Sequence, residues 1–184
     1  MCKAQVGQPA PEFSLKSTKD ATSVRDLGKV ISLSEYRGKW IIFFFYPLDF
    51  TFVCPTEILA LSDRYDEIKA LGAEVIGASC DSVFSHFAWI STPLDKNGIA
   101  GLRYPLVADY TKATAAAYGV LDEANGVAQR GLFIIDPEGV LRYTTVTADN
   151  VGRSVDETLR VLQALQTGGL CAADWKPGKA LLKV

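Results

Sequence analysis

The sequence predicts an α/β protein, with a central mixed β-sheet flanked by helices and a C-terminal arm. Three observations carry that reading. Short apolar runs, "WIIFFFY" and "AEVIGASC", read as strands and alternate with segments whose apolar residues recur at steps of three and four. A Pro-Glu-Gly turn then joins two further runs in "RGLFIIDPEGVLRYTTV", adding a hairpin before the last helix. Finally, "LCAADWKPGKALLKV" has no period, yet it holds Leu170, Cys171 and Trp175, as an arm with apolar anchors for docking would.

In order along the chain, "GQPAPEFSL" (7–15) is an extended lead-in, because Pro9 and Pro11 forbid helix there. "WIIFFFY" (40–46) is apolar throughout, which fits a strand buried on both faces. From Pro55 the pattern becomes helical, with Ile58, Leu61, Tyr65 and Ile68 on one side and Gly72 as the stop. "AEVIGASC" (73–80) is the next strand, "SVFSHFAWI" (82–90) a helix, and "YPLVAD" (104–109) a short strand before the helical "YTKATAAAYG". Residues 130–146 form the hairpin, turned by Pro137, Glu138 and Gly139. In "SVDETLRVLQALQTGG" (154–169), Ser154 and Glu157 form a capping box. Val155, Leu159, Leu162 and Leu165 make a stripe, and Gly168 and Gly169 end the helix. This divides the chain into a domain over residues 1–167 and an arm over 168–184.

A length of 184 residues suits one domain with a sizeable core. The 48% apolar content and net charge of −2 fit a compact soluble protein with surface for self-association. The 19 basic and 21 acidic residues form no basic cluster, which argues against nucleic acid or an anionic membrane as partner. No apolar run approaches the ~20 residues of a spanning helix. "MCKAQVGQPAPEF" lacks the apolar core of a signal peptide, so the expected location is cytoplasmic. The cysteines are Cys2, Cys54, Cys80 and Cys171, with no C-x-x-C pair, and His86 is the sole histidine. These spacings do not suggest a zinc site, and neither a metal nor a cofactor is expected.

Cys54 stands out, in "PLDFTFVCPTE" directly after one of the most apolar runs of the chain. Proline favours the first helical position, so Pro55 would put Cys54 at or near the N-cap, where unpaired N–H groups point at sulfur. An ordinary thiol is only about 3% ionised at neutral pH. A helix terminus stabilises an anion by at most about 2 kcal/mol, so a nearby cation is wanted too. Complete ionisation would gain only about 30-fold, and any larger acceleration requires donors that place an electrophile and stabilise its leaving oxygen. Thr51 lies three residues upstream, where a tight loop brings its hydroxyl alongside. Arg130 opens an apolar strand, a costly place for a charge unless it meets an anion. Pro47 lacks an N–H and walls the thiol from water. Each residue alone has a plainer reading: a turn former, a strand-end charge, a core thiol. Cys80 is assigned to the core and Cys2 to a terminal thiol, while His86 and Trp89 read as packing or subunit-contact residues.

Together, Pro47-x-x-x-Thr51-x-x-Cys54, Arg130 in "RGLFIIDPEG", and Cys171 followed by Trp175 in "CAADWKPG" resemble the typical two-cysteine peroxiredoxins, including the alkyl hydroperoxide reductase small-subunit branch. "SVFSHFAW" and "YPLVAD" fit as well, and the resemblance runs from about Gly7 to Gly178. It implies a thioredoxin-like fold and a thiol-dependent peroxidase. Cys54 would attack hydrogen peroxide or an organic hydroperoxide and become a sulfenic acid, in a pocket shaped by Pro47, Thr51 and Arg130. The resemblance further implies that Cys171 resolves Cys54 of the other subunit as a disulfide. Thioredoxin or a dedicated flavoprotein disulfide reductase would then reduce it, and homodimers would assemble into a decamer.

The sequence also departs from the family. Ala172 replaces the usual proline after the resolving cysteine, which implies a looser arm. The Gly-Gly-Leu-Gly segment of members sensitive to over-oxidation appears as Asn97-Gly98-Ile99-Ala100, and no Tyr-Phe helix follows the arm. Comparative resistance to over-oxidation is therefore expected. Three other readings compete. A thioredoxin-like disulfide reductase is opposed by the missing second cysteine in "CPTE". A one-cysteine peroxidase leaves Cys171 unexplained, and an oligomeric holdase chaperone has only the apolar content and the arm in its favour.

Overall fold

The computed structural model describes residues 4–183, so Cys2 lies outside the described residues. The chain divides into two compact units, Met1–Arg153 and Ser154–Val184. The first contains β1 (Ser14–Ser17), β2 (Val30–Ser32), β3 (Trp40–Phe45), α1 (Val53–Asp63), α2 (Tyr65–Ala70), β4 (Ala73–Ser79), α3 (Val83–Ser91), β5 (Leu106–Ala108), α4 (Ala113–Ala117), β6 (Leu121–Asp122), β7 (Val127–Ala128), β8 (Arg130–Ile135) and β9 (Leu141–Thr147). The second contains α5 (Val155–Gln166). No helix among the described residues is long and apolar enough to cross a membrane.

A strand as apolar as β3 can be buried only where both faces of a sheet are covered. It lies inside a seven-stranded sheet of order β2-β1-β5-β4-β3-β8-β9, parallel to β4 and antiparallel to β8. Ile41, Phe43 and Phe45 turn to one face and join the core built by Phe13, Tyr118 and Phe133, with Phe43 stacked on Phe13 at 4.6 Å. On the other face, Phe44 meets Tyr104 and Tyr46 meets Trp89. The sheet is mixed, as expected, because β8 and β9 form the antiparallel hairpin and β4 and β5 the parallel part. Gly139, at φ 80°, supplies the left-handed residue of the hairpin turn. Two short pairings escaped the sequence reading, β1 with β2 and β6 with β7.

The helix expected from Pro55 to Gly72 is two helices. The backbone shifts at Arg64 (φ −95°, ψ 10°), yet Ile58, Leu61 and Ile68 all stay buried, so the apolar period runs through the break. The start differs as well. Phe52 is the N-cap, α1 begins at Val53, and Cys54 lies within the first turn rather than at the cap. The first turn has no intrahelical partners for its N–H groups, so Pro55 fits at its third position as readily as at its first.

In the second unit, Ser154 Oγ accepts from the Glu157 N–H at 3.1 Å, and the Glu157 carboxylate turns to Arg160 rather than back to the cap. Leu159 and Leu162 are buried. Gly168 (φ 66°) turns the chain, and the arm folds on itself, with the Leu182 N–H donating to the Leu170 carbonyl. Trp175 is its buried anchor: the indole N–H donates to Lys179 O at 3.0 Å, and its carbonyl accepts from Arg160.

Phe43→Ala should lower stability by about 3–5 kcal/mol, because a ring at the sheet centre leaves a cavity its neighbours cannot fill. Urea unfolding checks this: the midpoint should fall with the slope unchanged.

Candidate active site

The active-site candidates meet where β3 hands over to α1. The loop from Pro47 to Phe52 carries Pro47 and Thr51, both half-buried, and Cys54 follows with no exposed surface. Antiparallel pairing with β3 brings the start of β8, and with it Arg130, to the same end of the sheet. Arg130 Nη1 donates to Cys54 Sγ at 3.4 Å and to Glu57 Oε2 at 2.6 Å, while Nε donates to Asp149 O at 2.7 Å. The charge at the head of an apolar strand therefore meets a sulfur and a carboxylate.

Glu57 and Arg153 escaped the sequence reading. Glu57 stands three residues after Cys54 on α1, so both point to one side of the helix. That spacing was the available signal, although a glutamate on a helix ordinarily reads as a solvated charge. Its Oε1 accepts from the Arg153 backbone N–H and from Arg153 Nε, both at 2.7 Å. Arg153 Nη1 goes on to the Gly131 carbonyl at 2.6 Å, and its guanidinium lies over the Phe44 ring. Burial works against the charge of Glu57, but hydrogen bonds and charge from Arg153, with Arg130 adding, hold its pKa below the usual 4.5. Burial likewise opposes the charge of Arg130. Its bond to Cys54 and the charges of Cys54 and Glu57 outweigh that and raise its pKa. Two guanidinium groups thus share one carboxylate, and the surplus positive charge faces the sulfur.

The Thr51 hydroxyl donates to Leu48 O at 3.0 Å, which leaves its lone pairs for an incoming donor. Asp49, in the same loop, is buried. It accepts from the Tyr46 hydroxyl at 2.8 Å and pairs with His86 Nδ1 at 2.9 Å, while its N–H donates to Asp81. His86 is fully buried, with Nε2 donating to Val107 O, and Trp89 is also fully buried. Cys80 is a core thiol, and burial pushes its pKa up to about 11. Cys171 belongs to the other unit. It is half-buried after α5, with Thr167 Oγ1 and Ala164 O as weak neighbours at 3.5 and 3.7 Å. Cys54, Cys80 and Cys171 are all free thiols. Among the described residues, no cluster of three or more His, Cys, Asp or Glu is arranged to hold a metal ion.

The AhpC/TSA family profile matches residues 6–144. The chain belongs to that family. Peroxiredoxin-1 of Gallus gallus is 54% identical, over 98% of this chain and 91% of that protein. YkuU of Bacillus subtilis is 56% identical, over 99% of this chain and 100% of that protein. The reduced 2-Cys peroxiredoxin of Plasmodium vivax superposes with a TM-score of 0.91 at 38% identity, covering 97% of this chain and 92% of that one. The molecule is therefore a peroxiredoxin with a thioredoxin-like fold, and a thiol-dependent peroxidase.

In this peroxiredoxin Glu57 also couples the site to stability. Its folded-state pKa is depressed, so its contribution is complete above the unfolded value near 4.5 and is lost as pH falls through the folded value. Glu57→Gln, which leaves two buried guanidinium groups uncompensated, should cost about 3–5 kcal/mol at pH 7. In urea unfolding, the gap between wild type and variant should narrow once the pH drops below 4.5.

Proposed function

We propose that this peroxiredoxin reduces hydrogen peroxide and organic hydroperoxides at Cys54, and that Cys171 of a partner subunit resolves the product. The observation that carries the reading is the contact between a wholly buried Cys54 sulfur and Arg130, in a site with surplus positive charge. The thiolate attacks one peroxide oxygen. An S–O bond forms and the O–O bond breaks. The second oxygen leaves with the bonding pair as hydroxide or alkoxide and takes a proton from solvent. Arg130 stabilises the charge on that oxygen. Thr51, whose own proton is committed to Leu48, accepts the peroxide O–H and orients it. Pro47 offers no competing N–H and covers the sulfur.

The sulfenic acid then condenses with the Cys171 thiol; the S–S bond forms and water departs. Because Cys54 has no exposed surface, the first turn of α1 must open before a second sulfur can reach it. Residues 168–184 serve as the arm that delivers Cys171. An external dithiol, from thioredoxin or a dedicated flavoprotein disulfide reductase, returns both cysteines to thiols by exchange. The electrons come from thiols, so the cycle needs no bound cofactor. Exposed Phe52, Phe84 and Tyr110 provide apolar surface for a homodimer and its assembly into a decamer, in the cytoplasm.

Non-reducing electrophoresis after one equivalent of hydrogen peroxide tests the cycle. Wild type should form a covalent dimer that both Cys54→Ser and Cys171→Ser lose. A wild type that consumes peroxide yet stays monomeric would remove Cys171 from the scheme, and undiminished turnover by Cys54→Ser would refute the central assignment. Arg130→Ala should lower kcat/KM for peroxide by about 100- to 1,000-fold, the effect of losing one well-placed donor to a developing oxyanion. Stopped-flow kinetics measures it.

A further inference from the structure

The two faces of β3 are built from different aromatic chemistry. On the face of Phe43 and Phe45, the rings that pack together are phenylalanines, Phe13 and Phe133 among them, with Tyr118 as the one phenol. The face of Phe44 is the one that meets α1: Tyr104 donates to Ile58 O, and Arg153, bonded to Glu57, lies over the Phe44 ring. The rings in line with Phe44 there are Trp89, Tyr46, Tyr104 and Tyr65. Indole and phenol give up one electron far more readily than a phenylalanine ring does. The oxidisable rings therefore stand on the side of the sheet that carries the thiol.

They also form a continuous series. Between centroids, Trp89 lies 5.9 Å from Tyr46, Tyr46 6.2 Å from Phe44, Phe44 6.0 Å from Tyr104, and Tyr104 6.2 Å from Tyr65. At one end the exposed Phe50 ring rests against Trp89, at 5.8 Å. Trp89, Tyr46, Phe44 and Tyr104 are buried, and the other end, Tyr65, is half-buried at the surface. A phenol that loses an electron must also lose its proton, so its hydroxyl partner decides whether the vacancy can rest there. Tyr46 donates to Asp49 at 2.8 Å and Tyr65 to Glu74 at 3.2 Å, both carboxylates. Tyr104 and the Trp89 indole donate to the carbonyls of Ile58 and Asn97, which take no proton. Burial opposes charge on Glu74, but hydrogen bonds from Lys69 and Lys39 outweigh it and lower its pKa, so it stands ionised as an acceptor.

We propose that this series is an electron-transfer path, which draws one-electron oxidising equivalents away from the peroxide site and delivers them to Tyr65. The path is separate from the two-electron chemistry of Cys54 and does not depend on Cys171. The oxidant is a radical of the kind that peroxides give rise to, hydroxyl or carbonate. It takes one electron from the Trp89 indole and becomes hydroxide or carbonate. Trp89 keeps its N–H proton and recovers its electron from Tyr46, whose hydroxyl proton passes to Asp49. Tyr65 refills Tyr46 through Tyr104 and across the Phe44 ring, and Asp49 returns the proton. The net change is one electron lost from Tyr65 and one proton moved from its oxygen to Glu74. A soluble one-electron donor such as ascorbate then restores the phenol at the surface, with the proton returning from Glu74.

Flash photolysis tests the path. Trp40→Phe with Trp175→Phe leaves Trp89 as the sole tryptophan, and further variants are made on that parent. An ultraviolet flash in air-saturated buffer ejects an electron from the indole, and dissolved oxygen takes it up. The absorption of the tryptophan radical should then decay as that of a phenoxyl radical grows, one for one. Added ascorbate should remove the phenoxyl rapidly, because it rests at the surface. Tyr46→Phe should slow the growth. Tyr104→Phe and Tyr65→Phe should keep the growth but lose most of the sensitivity to ascorbate, since the vacancy then stays on buried rings. Tyr118→Phe, on the opposite face, should behave as the parent. Absence of delayed phenoxyl growth would overturn the path, and so would an unchanged growth rate in Tyr46→Phe. Undiminished ascorbate sensitivity in Tyr65→Phe would overturn the terminus, and loss of growth in Tyr118→Phe would place the route on the wrong face. Should Tyr46→Phe fail to fold, because Asp49 loses its hydroxyl partner, Tyr104→Phe and Tyr65→Phe decide the matter by the ascorbate reading.

Discussion

Charge without water governs the site. Arg130 and Arg153 bring two positive charges into a region where their side chains are only 4% and 5% exposed, and Glu57 brings one negative charge. An isolated guanidinium could not be buried there, since desolvating a charge without a partner costs far more than a fold's margin of stability. Glu57 makes the burial tolerable, and the carbonyls of Asp149 and Gly131 take further N–H groups. Among the described residues, no buried side-chain nitrogen or oxygen lacks a hydrogen-bond partner. One carboxylate cannot neutralise two guanidinium groups, so the remaining field falls on the sulfur.

The topology follows from that requirement. The thiol lies just past the end of β3, and its cation must reach the same end from another strand. An antiparallel β8 starts where β3 finishes and so carries Arg130 to the sulfur, whereas a parallel β8 would start at the far end of the sheet. Two-sided burial of β3 keeps that end fixed, because Phe43 and Phe44 are locked into opposite cores. A charge-assisted contact of 3.4 Å between residues 76 positions apart needs such rigidity.

How much of this could be read from the sequence depends on range. The β3 run, the hairpin turn at Pro137–Gly139, Ser154 as an N-cap and the stop at Gly72 are local devices, and all of them hold. Pro55 misplaced the start of α1 because a missing N–H is harmless anywhere in the first turn. The break at Arg64 was hidden by an apolar period that survives it. β2 and β6 are two or three residues long and owe their existence to partners elsewhere. At the site, Cys54 and Arg130 were legible as anomalies, a thiol after a strand and a charge before one. Glu57 and Arg153 were not, because their meaning lies in a partner 96 residues away. That the Thr51 hydroxyl spends its proton on Leu48 O is a detail that only loop geometry decides.

The rigidity of the site is not uniform, because the helix starts are built unequally. The N-caps of α3 and α5 are Ser82 and Ser154, each accepting a backbone N–H of the first turn that follows. The N-cap of α1 is Phe52, which makes no side-chain cap bond and is 87% exposed. An absent cap forgoes about 1 kcal/mol. Phe50 at φ 55° adds the cost of a left-handed backbone without glycine, about 1–3 kcal/mol. Both penalties fall within four residues of Cys54, while the strands beside it carry none. The first turn of α1 is thus weak by construction, and the contact from Arg130 to Cys54 helps to hold it in place. Had Ser or Thr stood at position 52, the first turn of α1 would gain the cap, and the buried sulfur would be held more firmly against Arg130.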